Sequence, residues 1–205
     1  DIGGTNTKCG IVNRRGEVLQ YEKLSTPDYE TPEEFVNALC VRLNLMIDKV
    51  GGIEHIKGIG VGAPNGNYYT GTIEYAPNLR WEGVVPLADM ISEKMGLPTA
   101  LTNDANAAAV GEMQYGAAKG MRDFITITLG TGVGSGIVAN GQLIYGHDGF
   151  AGELGHTVIR PGGRPHWATA VSGSLEAYAS ATGVVLTAKE MLAAHPEKDS
   201  LLRKF

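Results

Sequence analysis

Asp1-Ile2-Gly3-Gly4-Thr5-Asn6-Thr7-Lys8 sets a carboxylate, a glycine pair, threonine hydroxyls and an ammonium group in one short stretch, and the alternating run Cys9 to Val12 follows directly. Glycines let a turn reach positive φ and bring backbone N–H groups close to an anion, and threonine hydroxyls add donors without bulk. A carboxylate beside them suits a hydrated Mg²⁺. The segment reads as a phosphate-binding β-hairpin, although the same pattern also serves an ordinary hairpin turn. A second glycine-rich turn, Gly130-Thr131-Gly132-Val133-Gly134-Ser135-Gly136, follows the apolar run Phe124 to Leu129. Two such turns can hold the phosphates of one nucleotide, each giving backbone N–H groups and a hydroxyl, from Thr5 and from Thr131.

Three further places carry groups able to do chemistry. Asp104 sits where a strand pattern becomes a helix pattern, a position where ligands collect in α/β folds. It can serve as a plain N-cap, or as the carboxylate that takes the proton from a hydroxyl during phosphoryl transfer. The neighbouring Asn103 amide can both donate to and accept from sugar hydroxyls. In Gly149-Phe150-Ala151-Gly152-Glu153-Leu154-Gly155-His156, a carboxylate and an imidazole three residues apart can meet a small polyol, or can belong to an ordinary surface loop. Glu176 follows Ser172-Gly173-Ser174-Leu175 near the start of a helix pattern through Ala181, where acidic charge is favourable in any protein.

These groups need elements to position them. Residues 2–12 and 17–24 alternate around Asn13-Arg14-Arg15-Gly16 and predict two antiparallel strands. Thr31-Pro32-Glu33-Glu34 starts a helix that runs to about Val50 and stops at Gly51-Gly52. Ile56 to Ala63 predicts a buried strand, 65–75 a hairpin, Pro86 to Met95 a short helix stopped by Gly96, and Pro98 to Thr102 another strand. An alanine-rich helix then spans Ala105 to about Ala118, suited to close packing on a sheet. Phe124 to Leu129, Gly136 to Ala139 and Gln142 to Tyr145 form a second strand-rich block, and Ala188 to Phe205 reads as a closing helix. Two units that each begin with strand, Gly/Thr turn and strand imply two similar lobes facing across a cleft: an N-terminal α/β lobe over 1–118 and the start of a C-terminal lobe over 119–205. Both ends read as interior to a longer protein, because an unanchored strand would fray.

Composition narrows the class. The 205 residues suffice for a large core, and Gly 29 with 19% charged residues suits an α/β enzyme with tight turns around ligands. A net charge of −5 without basic clusters argues against nucleic-acid and anionic-membrane binding. No apolar run approaches a bilayer span, and no signal peptide opens the chain. Cys9 and Cys40 have neither metal nor disulfide spacing, and read as reduced core residues of a cytoplasmic protein.

Taken together, Asp1-Ile2-Gly3-Gly4-Thr5, Leu101-Thr102-Asn103-Asp104-Ala105-Asn106, Leu129-Gly130-Thr131-Gly132-Val133-Gly134 and Ala151-Gly152-Glu153-Leu154-Gly155-His156 resemble the successive motifs of the ROK family, the bacterial sugar kinases and related repressors. The resemblance implies an α/β, actin-like (ribonuclease H-like) ATPase fold, two lobes around a cleft, with the second lobe incomplete in this chain. It implies a glucokinase-like transfer of the γ-phosphoryl group of ATP to a hydroxyl of a hexose or N-acetylhexosamine, with Mg²⁺. Carried over by position, it makes Asp104 the catalytic base and places Asn65, Gly66, Asn78, Asn103, Glu153, His156 and Glu176 around the sugar. Gly3, Gly4, Thr5, Lys8, Thr131 and Gly132 would hold the ATP phosphates, with Asp1 beside the metal. A homodimer is implied as well.

One stretch departs from the family. Many members carry Cys-x-Cys-Gly-x-x-Gly-Cys after the third motif, whose thiolates join its histidine in a tetrahedral zinc site. Here His166-Trp167-Ala168-Thr169-Ala170-Val171-Ser172-Gly173-Ser174-Leu175-Glu176 has no cysteine, so structural zinc is not expected, and His156 with His166 would make a poor pair of ligands. The loop must be held by packing, with Trp167 a candidate, and His156 is released to meet the sugar. The alternative function is a sugar-responsive transcriptional repressor of the same family, which needs a helix-turn-helix ahead of Asp1. A different actin-like phosphotransferase would want arginine, rather than Glu153, His156 and Asn103, for a carboxylate or acyl-phosphate acceptor.

Overall fold

Helix α1 (Pro32–Lys49) shows how local sequence writes an element: Thr31 and Glu34 exchange side-chain-to-backbone bonds in a capping box, and Pro32 takes the first turn, where no N–H is needed. Phe35, Val36, Leu39, Cys40, Met46 and Ile47 recur at helical spacing and are all buried. The computed structural model describes residues 1–166 and 169–204. They divide into two compact units, Asp1–Phe124 with Gly136–Ala151, and Ile125–Ser135 with Gly152–Phe205, so the chain enters the second unit twice.

In the first unit, β1 (Asn6–Val12) and β2 (Val18–Ser25) form the expected antiparallel pair, with a register irregularity at Ile11/Val12. Strand β3 (Ile59–Ala63) pairs in parallel with β7 (Thr99–Asn103). It starts later than the apolar pattern suggests because Ile53–His55 close a 3₁₀ turn first. The 65–75 hairpin appears as β4 (Gly66–Asn67) against β5 (Thr72–Glu74), extended by β6 (Val84–Val85). Helix α2 (Leu87–Met95) ends on Gly96 at φ 66°, a left-handed cap. Its buried Leu87, Ala88, Ile91 and Met95 join Phe35, Leu39, Trp81 and Leu101 in one apolar core.

Asp1 and Ile2 lie between the sheets: Lys8 N–H donates to the Asp1 carbonyl at 2.8 Å, and Ile2 N–H donates to Gly62 O at 2.8 Å. A cavity of about 790 Å³ opens along the same edges and is lined by Asp1, Lys8, Gly10, Gly58, Gly60 and the apolar face of α1. None of Asn65, Asn78, Asn103 or Asp104 lines it.

Helix α3 (Asp104–Tyr115) follows β7 without a break and ends three residues earlier than the alanine pattern suggests. Gly116 turns extended there, and the Glu112 carboxylate accepts Ala117 N–H at 2.8 Å. The alanines pack as expected: a Cβ on Gly62 would press on Ala107, and one on Gly136 would overlap Ala109. Strand β8 (Phe124–Leu129) leads through the second glycine turn into β9 (Val133–Ala139), whose end pairs with β10 (Gln142–Leu143).

In the second unit, the helix expected through Ala181 ends two residues earlier as α4 (Leu175–Ala179), because Ser180 is extended and caps α5 (Ala181–Ala194) through Gly183 N–H. The expected closing helix from Ala188 to Phe205 is not what forms. α5 stops at Ala194, since Pro196 bars His195 from helical geometry, and only a short 3₁₀ turn, Leu201–Lys204, follows. Trp167 and the last residue of that expected helix, Phe205, lie outside the described residues. Cys9 and Cys40 are free thiols, and burial pushes both upward in pKa.

Candidate functional site

At the β7–α3 junction, Asn103 and not Asp104 is the cap. Its Oδ1 accepts Ala105 N–H at 2.8 Å and Asn106 N–H at 3.4 Å, which leaves its Nδ2 end to meet a ligand. Asp104 occupies the first helical turn with an exposed carboxylate, one oxygen of which also accepts Ala105 N–H at 2.8 Å. Both flanking side chains hold buried oxygens, Thr102 Oγ1 and Asn106 Oδ1, with no hydrogen-bond partner among the described residues. Polar groups buried without partners collect where a site sacrifices local satisfaction.

The 65–75 hairpin is pressed against this junction. A Cβ on Gly66 would overlap the Thr102 carbonyl, so glycine here permits backbone approach. Asn65 takes a left-handed φ of 49° and its Nδ2 donates to Glu74 O at 2.9 Å, closing the hairpin's base. At the first glycine turn, Gly3 N–H donates to Asn6 O, and Gly4 packs so closely on Asn78 that a Cβ would meet its carbonyl at 2.6 Å. Gly4 and Asn78 share a cavity of about 250 Å³ with Arg80 and Trp81. Thr5 is exposed, whereas Thr7 is buried against Thr26, with 2.9 Å between the hydroxyl oxygens. Asp1 and Lys8 carry exposed side chains on either side of this turn.

In the second unit the sequence motifs converge on Val133. Its N–H donates to Glu176 Oε2 at 2.8 Å, and its carbonyl lies where a Cβ on Gly155 would fall. The turn before it closes with Gly130 N–H donating to Gly132 O at 3.0 Å and leaves Thr131 exposed. Ser135 Oγ bonds the Gly152 carbonyl and accepts Leu154 N–H, which anchors the loop bearing Glu153 and His156, both exposed. Glu176 is buried, and its Oε1 lies 3.2 Å from His166 Nε2. Among the described residues no group of three or more His, Cys, Asp or Glu side chains is placed to hold a metal ion. For nucleotide phosphates the donor set fits better: bare glycines at close approaches and exposed Thr5 and Thr131 hydroxyls.

The ROK family sequence model matches residues 1–203. The chain belongs to the ROK family. Its glucokinase relative from Streptomyces coelicolor is 39% identical over 98% of this chain and 62% of that protein. A xylose repressor from Caldicellulosiruptor bescii is 35% identical over 78% of the chain and 40% of the repressor. The crystal structure of a ROK family glucokinase from Streptomyces griseus, in complex with glucose and AMPPNP, superposes with a TM-score of 0.76 at 37% identity, covering 96% of this chain and 61% of that one. The fold is accordingly the actin-like α/β fold of ROK proteins, and this chain spans about 62% of the glucokinase relative's length. No helix among the described residues is long and apolar enough to cross a membrane.

Several residues that organise this ROK chain escaped sequence reasoning. Asn67 is buried, and its Nδ2 donates to Glu74 Oε1 and to Asp148 O, both at 3.0 Å, tying the hairpin to a segment 81 residues away. Gly149 must be glycine beside it, since φ is 87° and a Cβ would crowd the Asn67 amide. Arg164 donates to Ala177 O at 2.8 Å and Gly183 O at 3.0 Å, pairs with Glu190, and lies 4.9 Å above the Tyr178 ring. That hub holds the cysteine-free loop to α4 and α5. A lone arginine between Gly163 and Pro165 offers no periodicity or spacing to find it by.

Proposed function

We propose that the protein is an ATP-dependent sugar kinase that phosphorylates a hydroxyl of a hexose. The observation that carries this reading is the division of labour at the β7–α3 junction, where Asn103 performs the capping and leaves the Asp104 carboxylate exposed. Asp104 accepts the proton of the attacking hydroxyl, and the Asn103 Nδ2, Asn65 and Asn78 groups orient the sugar. In the second unit, Glu153 and His156 serve the same hydroxyl-binding purpose. Bound ATP supplies the phosphoryl group. The glycine backbone at Gly3, Gly4 and Gly132, the Thr5 and Thr131 hydroxyls and the Lys8 ammonium stabilise phosphate charge, and Asp1 suits a hydrated Mg²⁺. Kinship with glucokinases supports a kinase acting on a neutral hexose.

Asp104→Asn tests it. Loss of a general base typically costs on the order of 10²–10⁴ in turnover, while sugar affinity should stay within about threefold because the carboxamide retains a hydrogen-bonding oxygen. A coupled ATP-turnover assay with sugar binding by calorimetry reads both, and near-normal turnover would remove Asp104 from the mechanism. The xylose repressor kinship supports a second reading, sugar-controlled DNA binding. Robust sugar-dependent ATP turnover decides against it.

A further inference from the structure

We infer that Glu176 and His166 form a positioning pair that clamps the second glycine–threonine turn, with Glu176 acting through the Val133 amide. Where the clamp is said to serve phosphate binding, it rests on the kinase reading above.

The turn is gripped at both ends. At its start, Ala181 N–H at the head of α5 donates to Gly130 O at 2.9 Å. At its end, Val133 N–H donates to Glu176 Oε2 at 2.8 Å. Thr131, between the grips, stays exposed. The other carboxylate oxygen faces His166 Nε2 at 3.2 Å, and both side chains are nearly out of solvent, at 6% and 12% exposure. A buried carboxylate is costly unless its oxygens find donors or positive charge, and here a backbone N–H donates to one while the imidazole stands at ion-pair distance from the other.

Gly132 gives independent support. It does not adopt the left-handed backbone that would require glycine, yet a Cβ there would overlap Glu176 Oε2. Its missing side chain is therefore space reserved for the carboxylate, across 44 positions of sequence. Glu176 is itself held in place: Ser174 caps α4 through Ala177 N–H, and Leu175 N–H donates to Thr157 O at 2.8 Å. His166 is carried by a loop whose ends Arg164 and Gly173 bond, with Gly173 N–H donating to Arg164 O at 2.9 Å, while His166 Nδ1 lies 3.3 Å from Thr169 Oγ1. Glu176 thus acts on the turn as a positioning residue.

Amide hydrogen exchange at residues 130–133 tests the clamp, with the Phe35 and Leu101 amides as folding controls. Glu176→Ala should speed Val133 exchange about tenfold, the worth of one charge-assisted bond. Glu176→Gln, which keeps an acceptor oxygen, should restore protection to within about threefold of wild type. His166→Ala should loosen Val133 less than Glu176→Ala does. Gly132→Ala should mimic Glu176→Ala, and its effect should vanish in the Glu176→Ala background. Unchanged Val133 exchange in Glu176→Ala with intact controls overturns the proposal. Should Glu176→Ala fail to fold, Gly132→Ala compared with Gly132→Ala/Glu176→Gln carries the same decision, an unmoved Val133 amide again overturning it. Magnesium tripolyphosphate binding, read by calorimetry, separates the two layers. Weaker binding in step with looser Val133 supports both, whereas a looser amide with unchanged binding keeps the clamp and counts against phosphate binding at this turn.

Discussion

The two units are held by different physics. The first buries Phe35, Ile91, Leu87 and Leu101 almost completely, in a continuous apolar core. The second buries His166, Glu176, Ser174, Ser180 and Ser135, while Ile125, Ile127, Leu129, Val184, Val185 and Met191 stay exposed. Burying apolar area is non-directional and tolerates small adjustments. A buried polar network demands that each partner be present, and loses most when one is removed. The first unit thus has the makings of a scaffold, and the second of a set of bonded loops whose geometry depends on particular side chains.

The largest effect should come from breaking the apolar side of that contrast. Phe35 is fully buried, with its ring 4.8 Å from Trp81 and 5.9 Å from Tyr29. Phe35→Ala should cost about 3–5 kcal/mol, seen as a lowered urea midpoint by circular dichroism, with amide exchange accelerated throughout the first unit. A change confined to the residues around position 35 would deny that this core is one cooperative body.

Arg164→Ala strikes the polar side. It removes the guanidinium bonds to the Ala177 and Gly183 carbonyls, the second of which keeps its bond from Thr187 Oγ1, and we expect a loss of roughly 2–3 kcal/mol. The Glu190 pair adds little, because Glu190 is 65% exposed. Faster exchange should be limited to residues 152–204. Equal acceleration at Leu101 would mean that the two units do not differ as described.

The smallest effect lies at an aromatic edge of the first unit. Tyr145 stacks on Tyr68 at 4.2 Å, and burial first, then the neighbouring Tyr68 and Tyr69, raise its phenol pKa. Raised pKa means the folded state favours the neutral phenol, so this contribution is present below the ordinary tyrosine value of 10.0 and fades as pH climbs through the folded one. Tyr145→Phe should flatten the fall in stability above about pH 10 without altering it at pH 7. A spectrophotometric titration that shows no late-ionising tyrosine lost in the variant would argue against it.

Much of this was legible in the sequence because it is local. The Thr31–Glu34 capping box, the Gly96 cap and the β1–β2 hairpin depend on residues a few positions apart, and periodicity exposes the core face of α1. The departures are local too: Pro196 ends α5 short of the expected closing helix, and the extended Ser180 ends α4 before Ala181. The Asn103–Asp104 junction was found, but which of the two caps the helix depended on side-chain direction.

Asp104, the two glycine–threonine turns and the loop bearing Glu153 and His156 stand out in the sequence by itself as candidates, since residue type, spacing and their shared order along the chain mark them. That Glu176 would turn onto Val133, that Gly132 would make room for it, and that Asn67 would reach Asp148 were decided only by tertiary structure. Hydrogen bonds between residues tens of positions apart leave no period in the chain, and a buried carboxylate finds its partners only when the fold brings them within about 3 Å.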